Sequence, residues 1–373
     1  MRRLPLSDIA VRIVPPLLAV LCAALLGLGI IAALGLNPLQ VLRNLAATAD
    51  RPPYGLRDDA AYVLLYATPL IFTGLSVAVA FRAGLFNIGG MGQVLVGCLF
   101  CGYVGWKGSF LPAGILIPLC ALAGAAGGAA MGAIAGALKA YRGSHEVIIT
   151  IMLNFCAVAF TDSLANGPWK AKQGMTAQLP EIAEQARLPR LGAHPPGAAA
   201  DAPPTLGIGL LSGHVQVNVS LFIALAAAAG MWVWLWKTTR GYEVRAVGHN
   251  PEAARAAGIP VKGVTLSAMA VSGALAGLAS TDFVLGYKYN YRQDDAMGYA
   301  GQAFIGIAVS LMGQNHPVGI ILAALLFGGL QRTGSLLKDV PKDLVFVLQA
   351  AVILFVISGN EIFRRFLARR ATA

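Results

Sequence analysis

Apolar runs of membrane length recur along the chain, separated by short polar segments, and predict a succession of transmembrane helices. A crossing helix needs about 20 apolar residues. The first run is 14–36, opening at Pro15 and Pro16, and the second is 60–80, after a polar stretch at 37–59. The third, 84–105, begins GLFNIGGMGQ, too rich in glycine for a plain helix start. A short turn at 106–109 leads to 111–138 and 147–164, and a Pro-, Gly- and Ala-rich segment at 166–214 leads to 215–236 and 264–285. Two shorter runs, 299–312 and 317–330, are split by the turn GQNH, and 344–358 precedes the basic tail FRRFLARR. The pattern predicts an all-α polytopic membrane protein: one domain over 1–373, about ten transmembrane helices, both termini cytoplasmic. Arg2, Arg3, Arg12, Arg82, Lys139 and Arg142 flank the inner ends, as the bias of basic residues toward the cytoplasm requires.

Within this frame, four features stand out. Gly124, Gly128, Gly132 and Gly136 recur every fourth residue and predict a smooth face for close approach by another helix. The external segment 166–214 is too long for a tight turn and contains a possible short helix at 180–186. An external loop at 286–298 carries Tyr287, Tyr289, Tyr291 and the pair Asp294 and Asp295. The cytoplasmic loop 238–262, TTRGYEVRAVGHNPEAARAAGIPVK, contains a short helix. Asn250 is its N-cap, Pro251 fits the first position, Glu252 suits the positive end of the dipole, and Gly258 takes the left-handed stop. About two turns of helix are not stable alone in water. Either the flanking spans or a partner's surface must hold it.

Composition sharpens the class. Of 373 residues, 57% are hydrophobic and 12% charged; a soluble domain carries about twice that charged fraction. The 44 glycines suit closely packed membrane helices, and the formal charge of +11 follows from basic residues beside the spans rather than from a nucleic-acid surface. Cys22, Cys98, Cys101, Cys120 and Cys156 all fall in apolar runs, which argues against a secreted disulfide framework. The start, MRRLPLSDIAVR before a long apolar run, reads as a signal anchor.

Catalytic signatures are missing. There is no G-x-x-x-x-G-K-[ST], G-x-S-x-G or H-E-x-x-H, and His145, His194, His214, His249 and His316 are scattered, so neither a metal site nor a nucleotide cradle is expected. Ion-coupled carriers place ionisable residues in mid-membrane. Here Glu146, Asp162, Asp282 and Asp343 are expected at span ends, which weighs against an ion-coupled carrier. Two interrupted places offer neutral polar groups for a translocation path. In FRAGLFNIGGMGQ (81–93), the glycines permit non-helical backbone, tolerable in a bilayer only where buried in protein or lining a wet cavity. Phe86, Asn87 and Gln93 would face an uncharged solute there; a plain inter-span turn is the alternative. In SHEVIITIMLN (144–154), Glu146 and Asn154 are path candidates, although Glu146 also suits the helix dipole and Asn154 is more suited to bonding a neighbouring helix than a solute.

Taken together, FRAGLFNIGGMGQ, HEVIITIMLN, TTRGYEVRAVGHNPEAARAAGI and FIGIAVSLMGQNHPVG resemble the permease subunits of bacterial ATP-binding-cassette importers. The family serves simple sugars, branched-chain amino acids and nucleosides, and HEVIITIMLN combined with the loop GPWKAKQGMTAQLPEIAEQARLPRL is most similar to its nucleoside-type branch. The resemblance covers nearly the whole chain. It implies a non-catalytic subunit of the bacterial inner membrane, forming the path for a nucleoside, with a simple sugar as the nearest alternative cargo. It also implies a separate ATPase that uses the ATP, a second permease chain (a paralogue by family habit) and an extracytoplasmic solute-binding protein. The ATPase-coupling role falls on Gly241, Ala246, Gly248, Asn250, Pro251, Ala253, Ala254 and Gly258. Two departures bear on cargo: Met91 stands where relatives often carry a carboxylate, and His145 where Asn is common.

Overall fold

A computed structural model describes residues 56–336 except 173–174, 193–204 and 208–214, with a few scattered positions on either side. The expected spans 14–36 and 344–358, the N-terminal anchor, Asp343 and the basic tail fall essentially outside the described residues. The described residues are helical, with isolated bridges and no strand among them. In order they form α1 (Leu56–Arg82), α2 (Gly90–Lys107), α3 (Ala113–Arg142) and α4 (Glu146–Asn166), then a 3-10 turn at Glu184–Ala186. There follow α5 (Ser220–Lys237), α6 (Thr239–His249), α7 (Pro251–Ala256), α8 (Val261–Leu278), a π-helical turn at Thr281–Lys288, α9 (Gln293–Ala300), α10 (Gln302–Met312) and α11 (Pro317–Leu336).

Six of the described helices are long and apolar enough to cross a membrane: Asp58–Arg82, Ala113–Arg142, Glu146–Asn166, Ser220–Lys237, Val261–Lys288 and Pro317–Leu336. In Asp58–Arg82 and Val261–Lys288, 78% of the apolar window is buried, against 22–33% in the other four, so these two are central. The chain divides into two units, residues 60–325 and residues 1–59 with 326–373. In the second unit the Arg332 guanidinium meets Asp59 at 2.7 Å. All that follows concerns the first.

The first unit is organised around a seam of glycines. The row on α3 packs on α8: a Cβ added at Gly128 would run into the Gly273 carbonyl, one at Gly132 into the Met269 carbonyl, and one at Gly277 into the Gly124 carbonyl. Gly97 of α2 joins them, where a Cβ would lie 2.8 Å from the Gly277 Cα. Lipid tails are as apolar as leucine, so in a bilayer the contact energy between helices comes from packing, and missing side chains maximise it. On the other side of α8, the Ser272 hydroxyl donates to the Ser76 carbonyl of α1 at 2.7 Å.

The two ends of this bundle differ. At one end the described part of the 166–214 segment is packed rather than loose. Its amides at Leu179, Ile182, Leu188 and Leu191 donate to the carbonyls of Tyr291, Tyr289, Leu285 and Val217, at 2.8–2.9 Å, and all four side chains are buried. The expected short helix at 180–186 is only the 3-10 turn Glu184–Ala186. At the other end Arg82, Trp236, Gly248 and the turn 313–316 meet. That turn, expected from GQNH, is made by Gln314 and Asn315 in the left-handed region. Two expected loops are instead partly helical. Residues 286–298 contain the end of the π turn and the start of α9, and 238–262 holds α6 as well as the short helix α7.

Backbone contact leaves no room for relief, so Gly128→Leu and Gly277→Leu should each cost at least about 1–3 kcal/mol, the usual range for overpacking. Gly263→Ala, with open space around it, should be neutral. Melting the purified chain in detergent with a thiol-reactive dye reads this directly, because Cys98, Cys101 and Cys120 are buried. The midpoint should fall for the two seam variants and hold for the control.

Candidate functional site

Between α1 and α2 the chain leaves helical geometry, with Gly84 at φ +71. Non-helical backbone at this depth must find its partners within the protein. The Asn87 amide donates to Gln93 Oε1 at 2.9 Å and to Ser272 Oγ at 2.8 Å, and its oxygen accepts from the Gly89 amide at 2.9 Å and Gln93 Nε2 at 3.1 Å. Asn154, on α4, accepts from the Gly92 amide at 2.8 Å and donates to the Ile88 carbonyl at 3.1 Å. The structure thus brings together three of the five path residues expected from sequence. All are buried, and their polar atoms are engaged with one another and with the break, so here they fix its shape and do not face open space. Phe86 is half-buried against Phe81, ring centroids 5.1 Å apart. Glu146 stands apart, paired with Lys139 at 2.8 Å at the start of α4.

The expected coupling residues lie beneath this break. Thr238 caps α6, its hydroxyl accepting from the Gly241 amide at 3.1 Å. Gly241 and Gly248 are contact points: a Cβ at Gly241 would strike the Trp234 carbonyl at the end of α5, and one at Gly248 the Arg82 carbonyl. Asn250 caps α7, accepting from the Glu252 and Ala253 amides at 3.0 Å, Pro251 opens the helix, and Gly258 at φ +81 follows it. Of the eight, Gly241 and Ala254 are buried, Ala246 and Gly248 are half-buried, and Asn250, Pro251, Ala253 and Gly258 are exposed. Arg82 ties the break to the turn before α11, donating to the Asn315 and Gln314 carbonyls at 3.2 Å, and stacks over Trp236. Burial first, and the Arg82 charge second, hold the His316 imidazole below its ordinary range.

At the opposite end a cavity of about 400 Å³ opens between α1, the residues before α5, the π turn and the helices α9 and α10. Small-molecule sites begin at roughly this size. Tyr62, Tyr66, Tyr287 and Tyr299 supply aromatic surface, and Asp282, Gln216 and Gln302 supply polar groups. Lys288, which also lines it, pairs with Asp295 at 3.2 Å. Asp282, expected near a span end, lies in the π turn that continues α8 and is 3% exposed. Its Oδ1 accepts from Ser220 Oγ at 2.8 Å and Asn218 Nδ2 at 3.2 Å, and its Oδ2 from the Tyr299 hydroxyl at 3.0 Å. Gly286 leaves the space that the Asn218 amide fills. Sequence reasoning assigned no role to this cavity; the cluster of tyrosines and aspartates at 287–295 was the available signal.

Comparisons with known proteins bear on this architecture. The chain is 35% identical over 348 residues to the nucleoside ABC transporter permease protein NupB of Lactococcus lactis, covering 92% of this chain and 90% of that one. It is 36% identical over 299 residues to the guanosine ABC transporter permease protein NupP of Bacillus subtilis, covering 79% and 80%. It is 35% identical over 354 residues to the glucose ABC transporter permease protein TsgB13 of Haloferax volcanii, covering 94% and 88%. No solved structure matches it. Residues 60–357 match the family described as the branched-chain amino acid transport system / permease component. With its several membrane-length helices, the chain is a multi-pass membrane protein and belongs to that permease family.

Proposed function

We propose that this chain is the permease subunit of an ATP-binding-cassette importer that carries a nucleoside through the bacterial cytoplasmic membrane. An external binding protein delivers the cargo, and a second permease chain completes the path. A separate ATPase does the chemistry, so this subunit needs no cofactor of its own. In this reading about ten helices cross the bilayer and both termini are cytoplasmic. The meeting of Arg82, Gly248 and the 313–316 turn at one end, with the 166–192 segment at the other, fits that alternation of direction.

One observation carries the coupling role. α7 is a capped helix of six residues whose surface is exposed except at Ala254, and Gly248, near the end of α6, rests on the backbone of the break at Arg82–Gly84. A push on α7 therefore reaches, through α6, the bent segment held by Asn87, Gln93 and Asn154. Those three residues, with Phe86 and Glu146, border the moving part of the path in this reading. The nucleoside cargo is supported by the relatives named for nucleosides and guanosine. A simple sugar is the second reading, supported by the relative named for glucose.

Two outcomes are expected. Asn250→Arg removes a cap worth about 1 kcal/mol, and Gly258→Pro, whose ring holds φ at about −65°, cannot form the left-handed stop and loses the amide that donates to the Arg255 carbonyl. Both variants should insert normally, yet ATP hydrolysis by the assembled importer should no longer drive uptake. Full uptake in both would remove the docking role. Uptake of radiolabelled guanosine by cells making the whole importer should survive collapse of the proton gradient and stop when the partner ATPase is inactivated. The reverse pattern would make the chain an ion-coupled carrier, and uptake of glucose alone would change the cargo.

A further inference from the structure

The cavity beside Asp282 is lined by hydrogen-bond acceptors with spare capacity. Gln302 Oε1 is buried and has no hydrogen-bond partner among the described residues. Pro69 has no N–H to offer the carbonyl of Leu65 four residues earlier, and both residues line the cavity. The Tyr299 hydroxyl has one proton and two acceptors within reach, the Ala279 carbonyl and Asp282 Oδ2, each at 3.0 Å. When it serves Ala279, Asp282 Oδ2 is left open. The partners that the carboxylate does have, Asn218, Ser220 and Tyr299, are all neutral. An ionisable side chain held this way inside a membrane helix marks a functional site by default.

The aromatic surface is placed to complement this wall. Tyr62 and Tyr66 lie one helical turn apart with rings 24° from parallel and centroids 6.2 Å apart, and Tyr299 tilts against Phe283 at 4.6 Å. Such a chamber suits an uncharged solute with one flat face and several O–H or N–H donors. A cation would find aromatic faces and Asp282 Oδ2, but would share the cavity with the Lys288 ammonium. An anion would meet the carboxylate and the free acceptors.

We infer that this cavity is a holding site for the nucleoside within the permease, with the base against Tyr62 and Tyr66 and the sugar hydroxyls directed at Asp282, Gln302 and the Leu65 carbonyl. The inference rests on the nucleoside-importer reading and names the place in this chain where the cargo pauses. The site lies at the end away from α6 and α7, where a solute handed over from outside would arrive first. The ion pair of Lys288 with Asp295 lies at this same wall.

Photolabelling tests it. The complete importer in lipid nanodiscs is irradiated with tritiated 8-azidoadenosine, and labelled peptides are mapped. Label is expected on the peptides holding Tyr62, Tyr66 or Tyr299, protected by adenosine or guanosine and not by ribose or glucose. Asp282→Asn and Gln302→Leu should slow nucleoside uptake about tenfold, as for a buried hydrogen bond left unmade. Tyr66→Ala should do the same, and Tyr66→Phe, which keeps the ring, should restore uptake. Label confined to other segments, or uptake within twofold of the parent in all three loss variants, would overturn the site while leaving the importer intact. A parent importer that takes up glucose and no nucleoside would instead overturn the cargo reading. Because labelling uses the unaltered chain, misfolding of a variant does not spare the proposal.

Discussion

Backbone-to-backbone contact among three helices is the constraint from which the rest follows. Where Gly97, Gly124 and Gly277 meet, and again where Gly128 faces Gly273, no side chain separates α2, α3 and α8. Such a contact is strong because many atoms touch, and stiff because nothing in it can rotate away. It pins α8 along most of its length. Within this three-helix core, freedom is left to the ends of α8: the π turn that follows it, which carries Asp282, and the pair α6–α7 that precedes it. A π turn is the kind of irregularity found at working sites, since its wider ladder is more easily rearranged than an α-helix.

The two ends are connected by α1 as well as by α8. Tyr62 and Tyr66 stand at the cavity, and Arg82 at the other end of the same helix touches Trp236 and the turn before α11. Ser76 and Ser272 join α1 to α8 midway, and Asn87 reaches Ser272 from the break. The bend beneath is thus joined by a short hydrogen-bonded chain of neutral side chains to the middle of the two helices, α1 and α8, that run up to the chamber. A shift of Gly248 against Arg82 and Gly84 bears on this chain at its lower end.

Much of the frame was legible in the sequence because it depends on local chemistry. The cap at Asn250, the stop at Gly258 and the turn at GQNH are each decided within a few residues, and the four-residue glycine period announces a packing face without naming its partner. α6 was not legible: TTRGYEVRAVGH has two glycines and no clear apolar face, and what holds it is Gly241 against the end of α5 and Gly248 against the break. Asn154 was read as more suited to a neighbouring helix than to solute, and it does bond the break. The cavity was hidden for a different reason. Its walls come from residues 62–69, 215–216 and 282–302, which no local pattern connects. Asp282 looked like the end of a span because apolar character fades after Leu285, whereas the helix persists in π form to Lys288.

The contrast between the two polar clusters is what separates scaffold from station. Around Asn87 nearly every donor has an acceptor: two amide side chains close on each other, and a third closes on backbone groups that the break exposes. Such a cluster is complete without a ligand, and admitting one would strand its members at about 1–3 kcal/mol for each buried group. Around Asp282 the closure is incomplete: the Tyr299 hydroxyl has one proton for two acceptors, and Gln302 Oε1 is buried with no hydrogen-bond partner among the described residues. The same penalty now acts in the opposite direction. A donor-rich neutral solute, or water standing in for it, relieves an imbalance that the chain itself does not correct, and exchange of one for the other is nearly balanced. Near balance is what a transport path needs, because a site that held its cargo tightly would not release it.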